Sequence, residues 1–393
     1  MILNYAVNLL FVLSSLVLRG NANPVSVEGQ QWTSKNTESP KTVFDVVIVG
    51  GGPAGLSSLS SLARVRRTAM LFDSGEYRNA FTRNNHDVIG SDGMAPSLFR
   101  SKAREQIARY PTASFQNETV VSILRSNESS LFITTVSSGK KYMSRKIVLA
   151  TGIHDILPDT PGIKEAWGRG MYWCAWCDSW EHRDQPIGVI ASLPRVISSL
   201  LQIKTLNKDI IVFLNGTDTP ANRALLDKAS PNWQNQLSMV GAQLENRTIA
   251  RFERLQDGSV FRNETSWEEY DKFRIHLEDG TQFERSAFLM SLPMCQRSYL
   301  GTKIGVKLED ERIVVDSSSM RAAPGVWGIG DANNDGTTNV PHALYTGKKA
   351  AVHAHIELAR EEITASSVTK RSELDLSRDM ENGLENLWDS LKQ

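Results

Sequence analysis

The sequence predicts an α/β protein with two three-layer units, each a parallel sheet between helices. Residues 43–49 (VFDVVIV) are a continuous apolar, β-branched run, the pattern of a parallel strand buried on both faces. A glycine-rich turn, a helical segment and a second apolar strand follow it. The same strand–helix–strand order returns over residues 186–214, which predicts the second unit.

The chain has 393 residues, enough for two or three domains, and 40% hydrophobic content, ordinary for a globular protein. Lys plus Arg and Asp plus Glu are 44 each, so no global field favours nucleic acid or anionic membrane. Residues 6–18 (AVNLLFVLSSLVL) form a short apolar run, and Gly20-Asn21-Ala22 places small residues at −3 and −1 of a cleavage after Ala22. We expect a secretory signal over residues 1–22. Its n-region lacks Lys and Arg, so an uncleaved anchor is the alternative. No later stretch is long and apolar enough for a membrane span. Sequons at Asn117, Asn127, Asn215, Asn246 and Asn263 fit that route to a secreted, ER-lumenal or vacuolar protein.

Residues 23–41 are polar and aperiodic and read as a flexible lead-in. After the first strand comes Gly50-Gly51-Gly52-Pro53-Ala54-Gly55, then the helical LSSLSSLARVR and a strand over 68–72 ending at Asp73. That is a Rossmann-like dinucleotide site. Gly50 and Gly52 allow a tight turn and close approach to a pyrophosphate, the helix N-terminus offers free N–H groups, and Gly55 lets helix and strand pack. Asp73, 21 residues after Gly52, is placed to accept from a ribose. Residues 118–150 alternate as a meander, with strands over 119–124, 131–136 and 146–150. The Pro/Gly cluster at 157–162 marks a domain crossing. Strand 186–191, helix 195–206 and strand 209–214 make the second unit. Asp279-Gly280 predicts a hairpin turn, 287–292 an apolar strand, 325–331 a strand ending in Gly330-Asp331, and 341–360 a helix. The predicted domains are 42–160 and 286–360 for the first unit, 161–285 for the inserted unit, and 361–393 for a charged tail.

The chemistry centres on Cys174-Ala175-Trp176-Cys177-Asp178. A CxxC closes a small disulfide and tends to lower the pKa of one thiol. The chain has three cysteines, so no second ligand pair for zinc exists and no metal is expected. Redox chemistry is the better reading. Cys295 reads as a buried small hydrophobe rather than a third redox thiol.

GGGPAG with Asp73, Ala150-Thr151-Gly152, the CxxCD and Gly330-Asp331 occur here in the order found in low-molecular-weight thioredoxin reductases. Over roughly residues 43–360 the chain resembles that pyridine nucleotide-disulfide oxidoreductase superfamily. The resemblance implies FAD, a homodimer, and two Rossmann-like domains whose rotation exchanges partners at the flavin face. It implies that Gly50 through Gly55 bind the FAD pyrophosphate, Asp73 the adenosine ribose, and Asp331 the ribityl and pyrophosphate region. Ser74, Arg78, Asn79, His86, Ala150, Thr151, Gly330, Asn339 and Val340 are further expected cofactor contacts. Cys177 would face the flavin and Cys174 attack the substrate sulfur, or the reverse, with Asp178 as acid/base. His342 is a candidate proton acceptor or a polar cap of the last helix, and His86 borders the flavin or packs in a loop. His353 and His355 read as solvated surface. Trp173, Trp176 and Trp180 either wall a hydrophobic substrate site or bury the CxxC segment.

One departure counts against a nucleotide-driven reductase. After strand 187–190, where an NADPH loop needs glycines, the chain reads Ala191-Ser192-Leu193-Pro194-Arg195. The next strand lacks an Arg cluster for a 2′-phosphate. The chain resembles the fungal gliotoxin-type dithiol oxidases in Phe72 to Asn79 (FDSGEYRN), His86 to Gly93 (HDVIGSDG) and Asn339 to Ala343 (NVPHA). Those enzymes often carry His after the second cysteine, where Asp178 stands here. The preferred expectation is an FAD-dependent oxidase of a small-molecule or protein dithiol, with O2 as acceptor and H2O2 as product. An NADPH-dependent reductase and a non-catalytic secreted flavoprotein binding thiol partners are the alternatives.

Overall fold

The computed structural model describes residues 42–391, and side chains as far as residue 367. The expected signal and lead-in, residues 1–41, lie outside the described residues. Buried β-branched strands organise two sheets. In the first, Val43–Val49 pairs in parallel with Ala69–Phe72 on one side and Lys141–Leu149 on the other. Ala113–Gln116 and Val326–Gly328 extend it in parallel, and Arg321–Ala323 closes an edge. The meander Val120–Arg125, Phe132–Val136, Lys141–Leu149 folds off this sheet as the alternation predicts.

Both faces of the sheet are covered. Val46, Ile48 and Leu71 point into a core under helix Pro53–Arg64 and the start of helix Val340–Leu391. Val47, Val49 and Phe72 enter a second core beneath the meander. The last helix is longer than the predicted 341–360 and absorbs the expected tail as far as Leu391. Roughly its first seven turns are anchored by packing on helix Pro53–Arg64 and by Lys146 to Glu357, 2.7 Å, and Arg67 to Glu362, 2.6 Å. Half-buried His355 accepts from Arg67 Nε at 3.0 Å, so it is a packing residue rather than free surface.

The inserted sheet is wholly parallel, in the order Gln243–Glu245, Ile210–Phe213, Ile187–Ile190, Ala287–Met290, Met171–Tyr172. Strand 287–290 therefore belongs here, not to the second half of the first unit as the 285/286 boundary had it. An apolar run reports burial but not which sheet it joins. A three-stranded antiparallel layer, Ile249–Gln256, Lys272–Leu277 and Gln282–Arg285, packs Phe252, Phe273 and Ile275 onto Phe213, Phe288 and Met290. The chain enters and leaves this unit through Ile153–Asp155 and Met294–Gln296, which pair antiparallel as a two-stranded link. Cys295 lies in that link, free and half-buried.

Candidate active site

A cavity of about 340 Å3 opens where the first sheet's carboxyl ends meet the CxxC segment. Its floor is the glycine turn. Gly50 has φ +116°, and a Cβ there would lie 2.2 Å from the Ala150 carbonyl oxygen, so strand and turn close up only without a side chain. Gly55 does not line the cavity; a Cβ on it would sit 1.9 Å from the Gly50 carbonyl oxygen, which is the helix–strand contact the motif predicts. Gly50, Gly51, Gly52, Pro53 and Ala54 all face the cavity, with Pro53 opening the helix.

Most of the other expected contacts converge on the same space: Ser74, Arg78, Asn79, His86, Ala150, Thr151, Gly330, Asp331, Asn339 and Val340. Asp73 stands behind the turn. Its carboxylate accepts from Gly75 N at 2.9 Å, Tyr77 Oη at 2.7 Å and Arg104 Nη1 at 2.9 Å, and Ser74 and Glu76 face the cavity instead. Arg78 is a clamp that sequence reasoning did not describe. It donates to Asp155 at 2.7 and 2.8 Å and to Asp331 at 3.0 Å, and lies 4.9 Å over the Trp173 ring. Burial pushes the Asp331 carboxyl up, and Arg78 and Arg312 oppose that.

His342 is the correction. It does not line the cavity; its N–H donates to Asn339 Oδ1 at 2.7 Å, and its Nε2 lies 3.0 Å from Asp335 Oδ1 without hydrogen-bond alignment. Asn339 caps the helix and His342 occupies its first turn, so His342 neither faces the cavity nor is itself the cap.

Cys174 and Cys177 form a disulfide across the short helix Ala175–Asp178. Cys177 and Asp178 line the cavity and Cys174 does not. Asp178 Oδ2 is buried without a hydrogen-bond partner. Burial first, then the neighbouring Glu181 and Glu269, raise its carboxyl well above the usual range, towards the proton-donating form. The three indoles divide. Trp173 stacks on Trp167 at 5.1 Å and faces the cavity, whereas Trp176 is 67% exposed and Trp180 is exposed beside the disulfide segment.

His182, Glu269 and Asp271 bring ligand-type atoms within metal-site distance of one another. Asp271 is already saturated by Arg83, Arg254, Gly258 N and His182, so the set is an ion-pair network rather than a cation site.

In the inserted unit, the turn after Ile187–Ile190 has its amides engaged or missing at three successive positions. Leu193 is buried and its N–H is taken by Thr217 Oγ1 at 3.1 Å; Pro194 has no N–H; Arg195 N donates to Ser192 O at 2.9 Å.

The first-unit site fits FAD. Gly52 has open space where a Cβ would point, and the Thr151 hydroxyl at the cavity wall is buried without a partner. The family model described as pyridine nucleotide-disulphide oxidoreductase matches residues 44–347. A "Probable thioredoxin reductase" of Arthroderma benhamiae is 44% identical over 352 residues, 87% of this chain and 87% of that protein. "Thioredoxin reductase tcpT" of Claviceps purpurea is 29% identical over 328 residues, 81% of this chain and 96% of that protein. The crystal structure of HlmI matches with TM-score 0.71 at 28% identity, covering 83% of this chain and 96% of that one. A glycine turn shaped for FAD and a cysteine pair at its cavity thus meet in a chain that belongs to the pyridine nucleotide-disulphide oxidoreductase family, as an FAD-dependent disulfide oxidoreductase of thioredoxin reductase type.

Proposed function

We propose that the protein oxidises a substrate dithiol to a disulfide with O2 as acceptor: R(SH)2 plus O2 gives the R disulfide plus H2O2. The observation that carries this is the contrast between the two turns. The first offers an open helix N-terminus, and the second has its amides occupied or missing at Leu193, Pro194 and Arg195. Electrons then enter through the cysteines rather than from a pyridine nucleotide. FAD, when bound, supplies the two-electron step between the cysteine pair and oxygen. The protein's own groups do the rest: Cys174, outside the cavity, takes the substrate thiolate, Cys177 faces the cofactor, and Asp178 holds the proton. Exposed Trp176 and Trp180 beside the disulfide favour a small apolar dithiol as substrate.

The relatives' printed names favour a second reading, an NADPH-dependent disulfide reductase. Anaerobic flavin reduction of the holoprotein separates the two. The oxidase bleaches with dithiothreitol, stays yellow with NADPH, and on admitting air recovers with one H2O2 per dithiol consumed. Cys177→Ser abolishes the bleaching. Rapid bleaching by NADPH would overturn the oxidase.

A further inference from the structure

Behind the disulfide lies a second cavity of about 10 Å3, lined by Asp178, Glu181, His86, His182, Arg83 and Glu269 among others. That is room for about one water molecule. Glu181 is only 5% exposed, and neither of its carboxylate oxygens has a hydrogen-bond partner; the Asp178 Oδ2 atom is in the same condition. Two orphaned carboxyls on one small polar cavity are costly as anions. Burial raises Glu181 as it does Asp178, with His86 opposing.

From Glu181 the titratable groups continue outward. His86 Nε2 lies 3.4 Å from Glu181 Oε1, and His86 Nδ1 lies 3.5 Å from Asp92 Oδ2, whose side chain is 48% exposed. His182 offers no such outlet. It is buried, with Nδ1 at 3.1 Å from the Asp178 carbonyl oxygen and Nε2 at 3.2 Å from Asp271. Arg83 is committed to Glu269, Asp271 and Asp257, and the Trp267 ring covers His86 at 5.8 Å.

We propose that Glu181 and His86 relay protons between Asp178 and solvent at Asp92 during thiol–disulfide exchange at Cys174–Cys177. Asp178, neutral at rest, first releases its proton outward through Glu181 and His86, and a substrate thiol then gives its proton to the carboxylate so formed. The thiolate attacks one cysteine sulfur, an S–S bond to the substrate forms, and the cysteine S–S bond breaks with its electron pair on the departing sulfur. The second substrate thiol, deprotonated in turn, breaks the mixed disulfide. The substrate leaves oxidised by two electrons, and the cysteine pair is reduced by two. Asp178 serves twice only if its first proton leaves, and Glu181 and His86 give it the route. The proposal rests on the exchange step of the proposed function and holds for either direction of electron flow. Glu181 and His86 act through Asp178 rather than on the sulfurs.

The test is rapid mixing of anaerobic holoprotein with dithiothreitol, followed at the flavin absorbance across pH. His86→Ala is expected to slow reduction, on the order of 10²-fold, with imidazole restoring much of the rate. Glu181→Gln is expected to flatten the pH profile and enlarge the solvent isotope effect, and Glu181→Asp to recover both in part. Should His86→Ala fail to hold flavin, the near-isosteric Glu181→Gln carries the test by its pH profile. Wild-type rates and profiles in both variants would overturn the relay, as would a slow His86→Ala that imidazole leaves slow with an unaltered profile. A fast NADPH reaction would overturn the oxidase reading and leave this dithiol-driven test standing.

Discussion

Asp271 shows what one buried charge does here. Its side chain is fully buried, yet Arg83, Arg254, His182 and the Gly258 N–H all meet it. Burial acts to raise its carboxyl, but hydrogen bonds from His182 and Arg83 outweigh that and hold it below the usual range. A carboxyl depressed in the folded state contributes stability above its unfolded pKa of about 3.9 and loses it as pH falls towards the folded value. Asp271→Asn is expected to destabilise by about 2–3 kcal/mol near neutral pH, because it leaves half-buried Arg83 and Arg254 with less compensation. Thermal melts from pH 7 down to pH 3 check this: the gap between wild type and variant should narrow only below about pH 4. A gap that is small at pH 7 would remove Asp271 as the anchor. None of this was legible in the sequence. Asp271 sits in an unremarkable polar stretch, and its partners come from three separate segments. Cys174, Cys177 and Asp178 were legible because a short motif carries their chemistry within five consecutive residues.

At the scale of elements, local patterns were readable and long-range assignments were not. The Val43–Val49 strand, the glycine turn and helix Pro53–Arg64 follow from adjacent residues, and so does the hairpin between Lys272–Leu277 and Gln282–Arg285. The lack of glycine in Ala191–Arg195 was readable for the same reason, since it is a statement about five neighbours. Ala287–Met290 was given to the wrong sheet, and His342 could not be placed in the first turn behind its Asn339 cap, because each depends on what packs against it. The glycine turn carries its own prediction. Gly50→Ala would need a Cβ 2.2 Å from the Ala150 carbonyl oxygen, at a φ of +116° that alanine rarely adopts. The turn must open, so the purified variant should emerge mostly as apoprotein. Flavin absorbance per chain measures it, and a full complement of bound FAD would show that the turn does not shape the site.

On the scale of the molecule, the question is what keeps Cys177 at the cofactor cavity. The two sheets are joined by one two-stranded link, Ile153–Asp155 with Met294–Gln296, and a single link of that kind leaves rotation available. Opposing that freedom, Arg83 reaches from the first unit into the inserted one and pairs with Asp257 at 2.7 Å, Asp271 at 2.8 Å and Glu269. His86 makes a second crossing, to Glu181. Arg83 is therefore the residue that sets the balance. Arg83→Ala should lower the ratio of the apposed to the parted arrangement, about tenfold for each 1.4 kcal/mol lost, and slow flavin reduction by dithiothreitol as the apposed population falls. If Arg83 acts as a clamp between units, Arg83→Ala combined with Asp271→Asn should be strongly non-additive, because both remove the same bond. Rapid-mixing rates for the two single variants and the double variant decide it. Additive losses would mean that Arg83 supports the loop around His86 alone, and that the apposition of the two units is held by the link and the apolar contacts.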